Sequence, residues 1–261
     1  MKIIALVKQI LDPAGISVRR DKERVFINKE EYIVGPGSKA AIEAALRLRC
    51  DGDEHTVVAL SLGLPQAEDA LREALAMGCD SATLVTDKAL KDADTAVAVR
   101  ALAAAVNKLG GADLIVAGRA SGDTGAGQVG PRLAEALGYT WVTDACALAA
   151  QDGALQVTRR WGEGFTALEA PLPAVVTVAP EVFPPRFPHG ARIMNAYREW
   201  EVTTWNVADL ELSEEDLKPV LSMRGESFPP PVEIGEVFRG DPSTVAGDAV
   251  VALRLQKLIG A

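Results

Sequence analysis

The residues with the clearest chemical potential run from Gly118 to Gly130: Gly118, Arg119, Ala120, Ser121, Gly122, Asp123, Thr124, Gly125, Ala126, Gly127, Gln128, Val129 and Gly130. Five of the thirteen are glycine. The apolar run Leu114-Ile115-Val116-Ala117 comes before them, and the helix-forming stretch Pro131–Leu137 comes after. Glycine admits positive φ and lets a ligand approach the backbone closely. A strand that loosens into glycines before entering a helix aims bare N–H groups at one point. The helix dipole adds positive potential there, and such a point holds a phosphate. In an open α/β sheet it is also the carboxyl end of a strand, where ligands gather. Asp123 and Thr124 offer hydrogen bonds to a ribose or to the turn itself, and Gln128 is a neutral donor and acceptor. The plainer reading is that these glycines only punctuate a loop.

Two phosphate-binding motifs are testable. Gly125-Ala126-Gly127-Gln128-Val129-Gly130 matches G-x-G-x-x-G, but it follows the fourth strand, and no acidic residue stands about 20 positions on. Gly35-Pro36-Gly37-Ser38-Lys39 resembles a phosphate loop without its spacing. No G-x-S-x-G, paired histidines or telling carboxylate pair is present. The three cysteines, Cys50, Cys79 and Cys146, are widely separated and read as structural thiols. The two histidines, His55 and His189, are too few for a histidine metal site and read as surface or turn residues. This chemistry describes a nucleotide-binding α/β protein without an obvious catalyst. A lone nucleotide-binding sensor of the stress-protein kind is one such protein.

The elements that must position the loop alternate over the first 178 residues. Short apolar runs predict strands at Lys2–Lys8, Thr56–Ser61, Ala82–Thr86, Asp113–Ala117 and Val175–Val178, each covered on both faces. Helical patterns lie between them at Ser38–Arg49, Gln66–Met77, Asp94–Leu109 and Pro131–Leu137. Ser38 and either Asp92 or Asp94 are candidate caps, Pro131 suits a first turn, and Gly78, Gly110 and Gly138 mark helix ends. Strands alternating with helices imply right-handed βαβ units and a mainly parallel, doubly wound sheet. Two hairpins, Ser17–Arg20 with Arg24–Ile27 and Gln156–Trp161 with Phe165–Leu168, read as excursions from that sheet.

After Val178 the pattern breaks. The proline-rich run Ala179–Pro188 is unsuited to regular structure. Residues 205 to 242 are irregular and acidic, with Phe228-Pro229-Pro230-Pro231 among them, and Thr244–Leu258 reads as a final amphipathic helix. Such a tail either wraps its own sheet or packs on another chain. The expected division is a nucleotide-binding domain over 1–204 and a C-terminal arm and helix over 205–261. The formal net charge of −9 argues against nucleic acid as the main partner. No apolar run approaches the roughly 20 residues that span a bilayer. The opening segment reads as a strand rather than a signal peptide, and a cytoplasmic location fits.

Several stretches together resemble the β subunit of electron transfer flavoprotein. They are Ala5–Asp12, Ala41–Leu48, Val58–Gly63, Ala74–Asp80, the glycine loop with Gln128-Val129-Gly130-Pro131, and Leu172–Val178, in order over nearly the first 180 residues. The resemblance implies a doubly wound α/β domain of the adenine-nucleotide α-hydrolase-like kind. It also implies a non-catalytic electron-transfer subunit paired with an α subunit that supplies most contacts to a shared FAD. The β subunit of this family buries a second nucleotide, AMP in ordinary members and a second FAD in electron-bifurcating ones. By resemblance that pocket is lined by Leu6, by Gly35, Pro36, Gly37 and Ser38, by Leu62, and by the loop from Gly118 to Val129. Implied partners are the α subunit, acyl-CoA-type or other flavin dehydrogenases as donors, and a quinone oxidoreductase as acceptor. The C-terminal arm would then lie on the α subunit. The segment Pro188–Arg198, where the family carries a leucine-bearing docking loop, has no leucine here. Arg186 and Arg192, beside or within it, are candidates to steer acidic partners or to stabilise anionic flavin.

Overall fold

The first strand sets the architecture by simple alternation. In β1 (Lys2–Val7), Ile3, Ala5 and Val7 face one hydrophobic core, while Ile4 and Leu6 face another. A strand buried on both sides needs a layer of helices on each. The computed structural model describes residues 1–50, 55–151, 153–222, 225, 227–230 and 235–260; the side chain of Cys50 and residue Pro231 lie outside the described residues.

In chain order β1 is followed by β2 (Gln9–Leu11), β3 (Ile16–Arg19), β4 (Arg24–Ile27), β5 (Tyr32–Val34), α1 (Pro36–Cys50), β6 (Thr56–Leu62), α2 (Glu68–Met77), β7 (Ser81–Val85), α3 (Thr95–Lys108), β8 (Leu114–Gly118) and α4 (Val129–Leu137). Then come β9 (Thr140–Gln151), β10 (Ala154–Trp161), β11 (Gly164–Pro171), β12 (Ala174–Val178), α5 (Gly190–Arg198), β13 (Val202–Trp205) and α6 (Pro242–Leu255). Among the described residues nine strands form one sheet, in the order β11-β10-β9-β12-β8-β1-β6-β7-β13. From β9 to β13 it is parallel, and β10 and β11 add two antiparallel strands at one edge. Helices α1 and α2 cover one face, and α3 and α4 cover the other. The chain leaves β1 toward β6 on one side and returns to β8 on the other. This reversal opens a crevice at the carboxyl ends of β1 and β8.

The five apolar runs are all strands, shifted by no more than a residue or two, and the α/β, doubly wound character is as the alternation implies. Two expectations need correction. The hairpin of β10 and β11 is no excursion. Strand β9 runs parallel to β12 as far as Ala145, with a shift in register after Val142, then overhangs it, and pairs antiparallel with β10 from Ala145 to Gln151. Asp144, at φ 59°, marks the bend between the two parts. Ser38 is not the cap of α1. The helix already starts at Pro36, whose missing N–H suits the first turn, and Ser38 Oγ instead accepts from Lys8 N–H at 2.9 Å. Segment Pro188–Arg198 holds α5 over Gly190–Arg198, capped by His189. Asp94 does cap α3, its Oδ1 accepting from Val97 N–H at 2.9 Å.

The chain divides into two units. The first holds Met1–Arg19 and Arg24–Met223, and the second holds Arg20–Glu23 and Arg224–Ala261. Residues 206–217 belong to the first unit, where Val207, Leu210, Leu212 and Leu217 pack on the core beneath α3. In the second unit α6 is capped by Asp241 and leaves Val250, Val251, Leu253 and Leu255 exposed, Leu255 at 79%. Among the described residues no helix is long and apolar enough to cross a membrane.

Candidate functional site

The crevice contains a cavity of about 260 Å³. Its floor is apolar: Leu6, Leu60, Leu62 and Ala117, from the ends of β1, β6 and β8. One wall is the start of α3, with Ala93, Asp94, Thr95, Ala98 and Leu102. The opposite wall is the glycine loop, contributing Gly118, Arg119, Ala120, Ser121, Thr124, Ala126, Gly127, Gln128 and Val129. Val7, Lys8 and Ser38 close the remaining side. An apolar floor with polar groups converging from the walls suits a nucleoside monophosphate, whose base is flat and whose sugar hydroxyls and phosphate need polar partners.

The phosphate end is set by α4. Gln128 stands at its N-cap without making a side-chain capping bond, so the first-turn amides have no side-chain acceptor. An anion there gains both those donors and the helix dipole. Glycine is required where the loop doubles back. At Gly127, φ is +62° and a Cβ would sit 3.3 Å from Arg119 O.

The structure brings twelve of the sequence-derived site residues to the cavity: Leu6, Ser38, Leu62, Gly118, Arg119, Ala120, Ser121, Thr124, Ala126, Gly127, Gln128 and Val129. Six do not line it. Gly35 donates from its N–H to Lys8 O at 3.0 Å. Pro36 opens α1. Gly37 packs against Gly118, where a Cβ on Gly118 would lie 2.7 Å from the Gly37 carbonyl carbon. Gly122 sits beside Ile10. Asp123 forms an ion pair with Lys8, and Gly125 lines a broader groove of about 590 Å³. That groove shares Arg119, Ala120 and Gly127 with the cavity and adds Arg159, Arg160 and Trp161.

Burial pushes the Asp123 carboxyl up, but hydrogen bonds from Lys8, Ser121 and the Thr124 N–H outweigh it and hold the group below its ordinary value. Burial likewise raises Asp94. Hydrogen bonds from the backbone N–H groups of Val97, Leu221 and Val220 prevail, and the carboxyl is lowered. The sequence reading missed Lys8, Asp94, Thr95, Ala98 and Leu102 as site residues. Asp94 carried a capping signal, but nothing local says that this helix start meets the end of β1.

Two arginines that read as free cations are structural. Arg186 donates to Glu43 from Nε at 2.8 Å and from its backbone N–H at 3.1 Å. Glu43 is only 6% exposed and also accepts from Arg47 Nε at 2.9 Å. Burial would raise the Glu43 carboxyl, and the hydrogen bonds from Arg186 and Arg47 turn the balance and lower it. Arg192 donates to Ala76 O and Leu75 O, both at 3.0 Å, at the end of α2, and stacks on Trp200. Cys79 is buried and Cys146 half-buried, and among the described residues no cluster has the makings of a metal site.

Comparison with known proteins adds an independent line. Residues 24–210 match the family model described as the electron transfer flavoprotein domain. A subunit of the caffeyl-CoA reductase-Etf complex, CarD of Acetobacterium woodii, is 33% identical over 265 residues, covering 99% of this chain and 100% of that protein. The electron transfer flavoprotein subunit beta of Thermoanaerobacterium thermosaccharolyticum is 33% identical over 267 residues, with 99% and 100% coverage. Protein FixA of Azorhizobium caulinodans is 36% identical over 218 residues, 80% of this chain and 76% of its own. On the family match and on this similarity along nearly its whole length, the chain belongs to the electron transfer flavoprotein family, as a β subunit.

Proposed function

We propose that this chain is the non-catalytic β subunit of a cytoplasmic heterodimer that carries electrons from flavin dehydrogenases to an acceptor such as a quinone oxidoreductase, and that its cavity holds AMP. The observation that carries the adenylate reading is the wall of glycine-loop backbone leading into the uncapped start of α4, above an apolar floor. In this reading Leu6, Leu60 and Leu62 enclose the base and sugar, and the amides from Ala126 to Val129 meet the phosphate. Thr124 and Gln128 supply polar contacts. FAD, held mainly by the α subunit, supplies the electron-carrying chemistry when bound. The residues of this chain close one side of its site and exclude water. The part of the C-terminal arm beyond residue 223 packs on the α subunit, which covers the apolar side chains that α6 leaves exposed. Segment Pro184–Arg198 is the docking surface for donor and acceptor.

A second reading places FAD rather than AMP in the cavity, as in a bifurcating member that oxidises NADH. The groove adjoining the cavity through Arg119, Ala120 and Gly127 favours it, since a longer ligand has room to continue there. Co-expression with the α subunit, followed by denaturation and counting of released nucleotides, tests both. One flavin and one AMP per heterodimer is the expected result. Two flavins would establish the second reading. A lone chain that purifies with ATP, or a heterodimer with one flavin and no other nucleotide, would sink the proposal.

A further inference from the structure

The glycine loop is fastened at its two ends in ordinary ways. Arg119 donates from its N–H to Val178 O at 2.8 Å, and Gln128 O accepts from Arg132 N–H at 3.1 Å. Between these ends, Ser121 to Gly125 form a self-contained turn. Ser121 Oγ and Thr124 Oγ1 are 2.8 Å apart, Gly125 N–H donates to Ser121 O at 3.0 Å, and Thr124 N–H donates to Asp123 Oδ1 at 2.7 Å. Among the described residues, a single polar tie joins that turn to another element. Lys8 Nζ reaches Asp123 Oδ1 at 2.9 Å and Oδ2 at 2.7 Å.

Lys8 is a fixed post. Its N–H is bonded to Ser38 Oγ, and its carbonyl accepts from Gly35 N–H at 3.0 Å, so it is tied to the end of β1 and the start of α1 together. It also lines the cavity. The two side chains are 43% and 37% exposed, a setting in which an ion pair adds little to the stability of a fold. Its position gives it another effect. It joins the β1 wall of the cavity to the middle of the loop that carries the amides.

We infer that Lys8 and Asp123 are positioning residues for the bound nucleotide, pinning the middle of the glycine loop against the cavity and so governing ligand release. This rests on the reading of the cavity as an adenylate site. Closing the loop with a weak, exposed tie lets a ligand enter at nearly the rate of an open site, while departure must wait for the tie to part. The difference therefore belongs in the off-rate, where most variation among related complexes lies.

The test uses the α/β heterodimer loaded with labelled AMP and chased with unlabelled AMP. Lys8→Gln and Asp123→Asn should each speed release by about two- to five-fold, the range an exposed ion pair supports, with association nearly unchanged. The double variant should be no faster than either single one, because both remove the same contact. Lys8→Arg should restore slow release. High salt should speed release from the wild type but not from the variants. Asp123→Asn keeps an acceptor for the Thr124 N–H, so the turn is preserved, and an unchanged thermal midpoint would confirm it. Unchanged release in both single variants, or additive effects in the double, would overturn the inference while leaving the adenylate site intact. A wild-type heterodimer that retains no labelled AMP would instead overturn the functional reading, and the inference with it.

Discussion

Replacing Gly118 by alanine tests the geometry on which the site depends. A Cβ there would fall 2.7, 2.8 and 2.9 Å from the carbonyl carbon, Cα and oxygen of Gly37, all of them backbone atoms that no rotamer change can move. Carbon atoms pack best near 3.5–4.0 Å, so the start of α1 and the end of β8 must separate by roughly 1 Å. Overpacking of this kind costs about 1–3 kcal/mol, and the stiffer unfolded chain returns about 0.4–1 kcal/mol, leaving a net loss of about 1–2 kcal/mol. The displacement lands on the site, since Ser38 and Arg119, the next residues along, both line the cavity. The variant should therefore lose stability in urea denaturation and also hold less AMP per heterodimer. Gly164→Ala is the matched control, because its Cβ would meet nothing within 4 Å. It should stay within about 0.5 kcal/mol of the wild type. Wild-type stability in Gly118→Ala would refute the claim that these two backbones are in contact.

Glu43→Gln, which leaves Arg186 and Arg47 without their charged acceptor, should cost about 1.5–3 kcal/mol at pH 7. The folded carboxyl lies below its ordinary 4.5, so this advantage of the wild type is complete above about 4.5 and fades as pH falls through the lower native value. Denaturation of both proteins from pH 7 to pH 3 should show the gap closing. Asp94→Ala removes a helix cap together with two bonds to Val220 and Leu221, for a loss of about 1–2 kcal/mol. Hydrogen exchange should quicken at the amides of Val97, Val220 and Leu221 and not in β1. Arg192→Ala frees two carbonyls at the end of α2 and should make residues 183–200 markedly more sensitive to limited proteolysis, with the sheet unaffected.

The buried strands were readable because Ile3–Val7, Val57–Leu60 and Leu114–Ala117 are apolar on both faces, and a short two-faced run admits few other structures. Strand β9 was not readable. It spells Thr-Trp-Val-Thr-Asp-Ala-Cys-Ala-Leu-Ala-Ala-Gln, rich in alanine, with a positive φ at Asp144. Its partners on either side hold it extended against its own preference. Strand β13 was lost for a similar reason, since Val-Thr-Thr-Trp is too short and polar to stand out before β7 pairs with it. At the site, glycine advertises itself because its conformational freedom is a local property. Lys8, Thr95 and Ala98 join the cavity only through the strand order, which is a global property. Arg186 and Arg192 show the limit for long side chains, whose charge is visible in a sequence while the carboxylate or carbonyl they reach is not.

One edge of the sheet has a practical consequence. Strand β11 is the terminal strand, bonded to β10 alone in the nine-strand order, and most of its residues are exposed. Trp161 and Phe165, each 67% exposed, flank the turn that leads into it. A bare strand edge beside aromatic rings is adhesive, because any extended peptide can zip onto it, including the same strand of a second molecule. Expressed by itself, the chain should grow turbid as it is concentrated, and a lysine placed at an outward position of β11 should keep it clear.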